Sequence, residues 1–88
     1  MSACLLGVRC RHDGQSKFCD RVTAQLKEHT LVPVCPEQLG GLSTPRPACE
    51  LVGGKALTIK GEDNTAAFQL GAEEALRLYH LLGCEAAI

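Results

Sequence analysis

Apolar positions along the chain fall into short blocks separated by polar, glycine-containing stretches. The first block, Ser2-Ala3-Cys4-Leu5-Leu6, reads as a short buried strand or the C-terminal end of one. Gly7 to Gly14 is then a polar, basic loop in which Asp13-Gly14 signals a turn. Ser16 is a candidate N-cap for a helix to about Glu28, because Phe18, Val22, Gln25 and Leu26 follow helical spacing and Asp20 suits a first turn. The run Thr30 to Val34 is short and β-branched, which favours strand over helix. It stops at Cys35: Pro36 removes the donor a continuing ladder would need, Glu37 follows, and Gly40-Gly41 open an irregular stretch to Pro47. Glu50-Leu51-Val52 and Ala56 to Lys60 flank Gly53-Gly54 as a small hairpin. Asp63 or Asn64 caps a second helix, where Phe68, Ala72, Ala75, Tyr79 and Leu82 make the clearest amphipathic stripe, with Gly83 as its expected C-cap. Cys84 to Ile88 begins another strand.

Strand, helix, strand, hairpin, helix, strand predicts an α/β fold: a small Rossmann-like, mainly parallel sheet with flanking helices and a short hairpin insertion. Such sheets bind ligands beyond the carboxyl ends of their strands. Cys4 and Cys35 both lie at predicted strand ends before glycine-containing loops, so two thiols are expected to converge at one edge.

Composition narrows the class. The 88 residues make one small domain, near the lower end of what buries a self-sufficient core. Phe18, Phe68 and Tyr79 are the only aromatics, so that core must be aliphatic. A net charge of −1 supplies no global attraction for nucleic acid or an anionic membrane, and no stretch reaches transmembrane length. The six cysteines raise the prospect of disulfides, but the start of the chain lacks a basic n-region and a long apolar stretch, so reduced thiols in the cytoplasm are the expectation.

No Cys-x-x-Cys pair exists, which weighs against zinc-ribbon and thioredoxin readings, while dispersed thiolates suit an iron–sulfur cluster or zinc about equally. Cys10, between Arg9 and Arg11, is a further ligand, a reactive thiol or merely exposed, with the arginines expected to favour its thiolate. Cys49 in a Pro-rich loop is ambiguous, whereas Cys19 and Cys84 read as packing residues. Glu37 is placed to line the same pocket as Cys35. His12, His29 and His80 have weak claims, and Gly40-Gly41 and Gly53-Gly54 read as turn formers rather than phosphate cradles.

Together, Ser2-Ala3-Cys4-Leu5-Leu6-Gly7, Arg11-His12-Asp13-Gly14, Pro33-Val34-Cys35-Pro36-Glu37 and Gly40-Gly41-Leu42-Ser43-Thr44-Pro45-Arg46-Pro47 resemble the thiouracil desulfurases, small proteins long catalogued as a domain of unknown function. Gly61-Glu62-Asp63 and Gly71-Ala72-Glu73-Glu74-Ala75 also match, so the resemblance spans essentially the whole chain. It implies an enzyme that removes sulfur from thiolated pyrimidines such as 2-thiouracil, using a [4Fe–4S] cluster held by three cysteines with one iron open. Carried over, Cys4 and Cys35 are two metal ligands and Glu37 is the catalytic carboxylate; Arg46, Gly40 and Gly41 are the substrate-binding candidates. A soft, thiophilic Lewis acid beside a carboxylate is reasonable chemistry for hydrolysing a C=S bond.

The departures from the family pattern set the remaining expectations. The family's third cysteine sits in a Ser-Pro-Ser-Cys-Gly motif after a strand matching Ala86-Ala87-Ile88, so residues 1–88 read as the N-terminal part of a longer family domain. His12 stands where tyrosine is usual and Ser43 where proline is common. Cys10 or Cys49 is then the substitute third ligand; the alternative is a non-catalytic α/β domain holding zinc or nothing. Expected partners are a small thiolated pyrimidine, free or within tRNA, no membrane, and a second copy meeting the uncovered C-terminal strand as a homodimer.

Overall fold

A hairpin and one long helix form the regular half of the molecule, and irregular backbone makes up most of the other half. The computed structural model describes all 88 residues. In chain order it has a 3₁₀ turn at Ala3–Leu6, then α1 (Asp20–Gln25), α2 (Pro36–Leu39), β1 (Cys49–Val52), β2 (Lys55–Thr58) and α3 (Thr65–Leu81). This is an α/β arrangement whose one regular sheet is the antiparallel pair β1–β2, with Val52 opposite Lys55 and Cys49 opposite Thr58. Gly53 and Gly54 turn the hairpin with φ of 58° and 80°, a left-handed pair that glycine adopts without a Cβ penalty.

Helix α3 starts and stops by local chemistry. Asp63 Oδ1 accepts hydrogen bonds from the Thr65 backbone N–H and hydroxyl, covering donors that a helix start leaves open. At the other end Gly83 takes φ of 66°; its N–H donates to the His80 carbonyl and that of Cys84 to Tyr79, the two bonds of a Schellman termination.

The expected mainly parallel sheet is not formed, and in its place stand isolated backbone contacts near the N-terminus. Ser2 bridges Val34 in parallel, the Ala3 N–H donates to the Val34 carbonyl at 2.8 Å, and the Val34 N–H donates to the Met1 carbonyl at 3.0 Å. On the other side the Ser2 N–H donates to the Ile88 carbonyl at 2.6 Å. The expected first strand ends there because the chain tightens into the 3₁₀ turn, closed by Gly7 at φ of 96°. Four apolar residues without a long flank carry no period that separates strand from helical turn.

The first predicted helix is also shorter than expected. Ser16 does not cap it, because Lys17 and Cys19 donate their N–H groups to the carbonyls of Cys4 and Leu5, holding this segment extended until Asp20. Conversely, α2 occupies positions read as a loop: Cys35 is its N-cap residue and Pro36 its first helical residue, where the missing proline donor costs nothing.

What holds α2 against α3 is a close approach of two backbones. A Cβ added at Gly40 would collide with the Ala67 carbonyl, and one added at Gly71 with the Pro36 carbonyl. Gly40 has an ordinary helical φ of −78°, so its role is packing rather than the turn formation expected for it. The side-chain core is thin. Ala3, Cys10, Ala56, Thr58 and Gly71 are buried, and the accessible surface of 6299 Å² exceeds the roughly 5,000 Å² typical of a folded monomer of this mass. Leu51, Ile59, Leu76 and Leu81 are exposed, and the stripe on α3 is half-buried at most.

Candidate thiol-lined site

The Ser2–Val34 bridge decides where two of the thiols go. Cys4 follows Ser2 by two residues and Cys35 follows Val34 by one, so aligning these segments side by side brings both cysteines to the same end. They border a cleft of about 200 Å³ whose walls also carry Cys10, His12, Glu37 and Arg46. The expected convergence of Cys4, Cys35 and Glu37 is therefore observed. His12 joins them, although its histidine chemistry gave it only a weak claim. Cys35 also borders a neighbouring apolar cleft of about 350 Å³ formed with Val8, Pro33, Leu39 and Leu78.

Cys10 differs from its sequence expectation. Its side chain is 1% exposed, not on a solvated basic loop. Burial pushes the thiol up from its ordinary 9.0 to about 11; a hydrogen bond with Cys35 and the charges of Cys35 and Cys4 add to the rise, and Arg46 opposes it. The flanking arginines do not deliver the expected thiolate, and Arg11 instead pairs with Asp13 at 3.4 Å. Metal coordination would have to displace that proton.

The Cys10 carbonyl is a junction. It accepts from the Cys35 thiol at 3.8 Å and from Arg46 Nη2 at 2.9 Å. Arg46 also donates from Nε to Glu37 Oε2 at 2.7 Å, pairs with the same oxygen through Nη2 at 2.6 Å, and donates from Nη1 to the Ser43 carbonyl at 3.2 Å and Thr44 Oγ1 at 3.0 Å. Its own N–H donates to the His12 carbonyl at 2.7 Å. The Arg46 side chain is 6% exposed, and its bonds to Glu37, Thr44 and the Cys10 carbonyl are part-buried while that to Ser43 is exposed.

Other expected site residues lie elsewhere. Cys49 is on β1, where its sulfur accepts from Asn64 Nδ2 at 3.5 Å, and it does not border the cleft. Gly40 and Gly41 do not border it either. Six free cysteines are present, and Cys19 and Cys84 are away from the site.

As a donor set, Cys4 and Cys35 with Cys10 behind them are soft sulfur ligands, suited to iron–sulfur clusters or zinc and not to hard cations. No three His, Cys, Asp or Glu side chains stand close enough together here to hold a metal ion. The donor chemistry of Cys4 and Cys35 fits a thiophilic metal, and the two would be only part of its ligand set.

A small α/β fold in which thiols and a carboxylate line one cleft defines a class, a protein with a sulfur-rich cleft. The chain belongs to the 2-thiouracil desulfurase family, which matches it across residues 1–88. It is similar to a solved [4Fe–4S]-dependent thiouracil desulfidase, TudS, with a TM-score of 0.81 and 46% identity over 93% of this chain and 56% of that one. It is also 34% identical to the uncharacterized protein YbbK of Bacillus subtilis (strain 168), covering all of this chain and 65% of that protein. The chain thus spans less than two thirds of the length of either relative.

Proposed function

We propose that the chain is a desulfurase acting on thiolated pyrimidines such as 2-thiouracil, with Cys4 and Cys35 as metal ligands and Glu37 as the acid/base group. The observation that carries this is the shared cleft: both family-matching cysteines and Glu37 border it, although they come from segments far apart in sequence. A [4Fe–4S] cluster held there would supply a soft Lewis acid for the substrate's sulfur. The reaction is a hydrolysis, in which 2-thiouracil and water give uracil and hydrogen sulfide with no net redox change. Glu37 accepts a proton from the attacking water and returns one to the leaving sulfur, a role that requires a carboxylate oxygen open to the cleft.

The cleft's volume is below the roughly 300–1,000 Å³ of drug-sized sites, which favours a single pyrimidine ring over a nucleoside or tRNA. The free thiols favour a reducing compartment such as the cytoplasm. We infer that Met1–Ser2, Val32–Val34 and the segment ending at Ile88 are the beginnings of a Rossmann-like parallel sheet, a reading supported by the Ser2–Val34 bridge and its flanking hydrogen bonds.

Anaerobic reconstitution with iron and sulfide tests the reading. Brown protein that releases sulfide and uracil from 2-thiouracil supports it; colourless protein that takes up only zinc overturns it. The second reading, a non-catalytic domain holding zinc or nothing, is the one that colourless protein would leave standing.

A further inference from the structure

We infer that Arg46 is not a substrate-binding residue but the positioning residue of the site: it clamps one oxygen of Glu37 so that the other is left free for proton transfer. This rests on the proposed role of Glu37.

A guanidinium offers five N–H donors in a fixed planar fork. In Arg46 four hydrogen bonds and one close ion-pair contact engage all three nitrogens: Nε donates to Glu37 Oε2, Nη2 donates to the Cys10 carbonyl and stands 2.6 Å from the same Glu37 oxygen, and Nη1 donates to the Ser43 carbonyl and Thr44 Oγ1. Every nitrogen of the fork is already engaged within the protein. At 6% side-chain exposure, turning Arg46 toward a substrate would cost it partners such as the part-buried Cys10 carbonyl. The arginine borders the cleft and is spent before anything enters it.

The asymmetry at Glu37 gives the clamp its function. Both Arg46 contacts fall on Oε2, and Oε1 receives no hydrogen bond from the protein. Glu37 is otherwise free to rotate, since its side chain is 38% exposed on the four-residue helix α2. One hydrogen bond and a second nitrogen of the same fork at 2.6 Å converge on Oε2 and hold the carboxylate in place. Nη2 simultaneously grips the carbonyl that accepts the Cys35 thiol. Through one side chain, Glu37 is tied to the Cys10 segment of the cleft wall. Gln38 Nε2 supports the arrangement by donating to Thr44 Oγ1 at 2.7 Å.

The test combines Arg46→Met, Arg46→Lys, Glu37→Gln and the Arg46→Met/Glu37→Gln double variant in the full chain, reconstituted anaerobically and assayed with 2-thiouracil. Arg46→Met is expected to keep the parent's iron per chain and visible absorption, to keep KM within about twofold, and to lose about 10²-fold in kcat, the low end of an acid/base contribution. Arg46→Lys, which keeps the charge without the fork, recovers part of that loss. In the Glu37→Gln background, Arg46→Met costs little more, because the clamp has nothing left to hold. A rise in KM with kcat preserved, or losses that multiply in the double variant, would overturn the inference. A parent chain that binds iron but releases no sulfide refutes the functional reading instead. The clamp is then decided by a denaturation double-mutant cycle on the same four proteins: a coupling of at least about fivefold in the unfolding constant supports it, and additive effects refute it. If Arg46→Met does not fold, Arg46→Lys replaces it in the cycle.

Discussion

The cleft side and the hairpin side of this molecule are held together in opposite ways. Around Cys4, Cys10 and Cys35 there is little regular structure, yet hydrogen bonds span long sequence separations, such as Arg46 to Cys10 and Val34 to Met1. The hairpin and α3 are regular, but Leu51 on β1 and Ile59 just past β2 stand 81% and 92% exposed. The comparison teaches that precision here comes from polar cross-links rather than from burial. Each half should therefore fail to a different kind of substitution.

Glu37→Gln should have the largest effect, lowering the rate of sulfide release from 2-thiouracil by about 10²–10⁴-fold while iron binding is retained. A kcat within threefold of the parent would remove Glu37 from the chemistry. Next comes the joint between the halves. Gly71→Ala places a methyl group against the Pro36 carbonyl and should cost about 1–3 kcal/mol, read by urea denaturation, and should lower iron uptake as α2 shifts. A stability equal to the parent's would mean that the two backbones do not meet as closely as described.

Why the halves differed in legibility follows from the same contrast. The hairpin could be read because Gly53-Gly54 carries its own conformational signal, and α3 because the stripe from Phe68 to Leu82 and the stop at Gly83 are local patterns. Cys4, Cys35 and Glu37 were legible from their places after apolar runs and from the family resemblance. Nothing local marks Cys10 as buried or Arg46 as fully engaged, since their partners lie 25 and 36 residues away. The same holds for Gly40 and Gly71, whose contact exists only once α2 lies on α3. Short apolar runs such as Ala3 to Leu6 have no period to read, so the first strand was overestimated.

A smaller effect distinguishes the start of α3. Hydrogen bonds from the Thr65 side chain and backbone hold the Asp63 carboxyl below its ordinary value. A depressed folded-state value means that this contribution is fully present above the unfolded pKa of about 3.9 and is lost as pH falls through the folded value. Asp63→Ala should therefore lower the thermal midpoint at neutral pH, with the gap to the parent closing only at strongly acid pH. A gap unchanged down to pH 2 would contradict this. Smallest of all, Leu51→Lys on the exposed hairpin should change stability by less than about 0.5 kcal/mol in denaturant unfolding and leave iron uptake untouched.

The central claim is that the cleft bordered by Cys4 and Cys35, and not the thiol on the hairpin, is the metal centre. Iron bound per chain after anaerobic reconstitution of Cys35→Ser and Cys49→Ser, measured side by side, tests it most directly. The account predicts that Cys35→Ser loses most of its iron and its visible absorption while Cys49→Ser matches the parent; parent-level iron in Cys35→Ser, or its loss in Cys49→Ser alone, would contradict it.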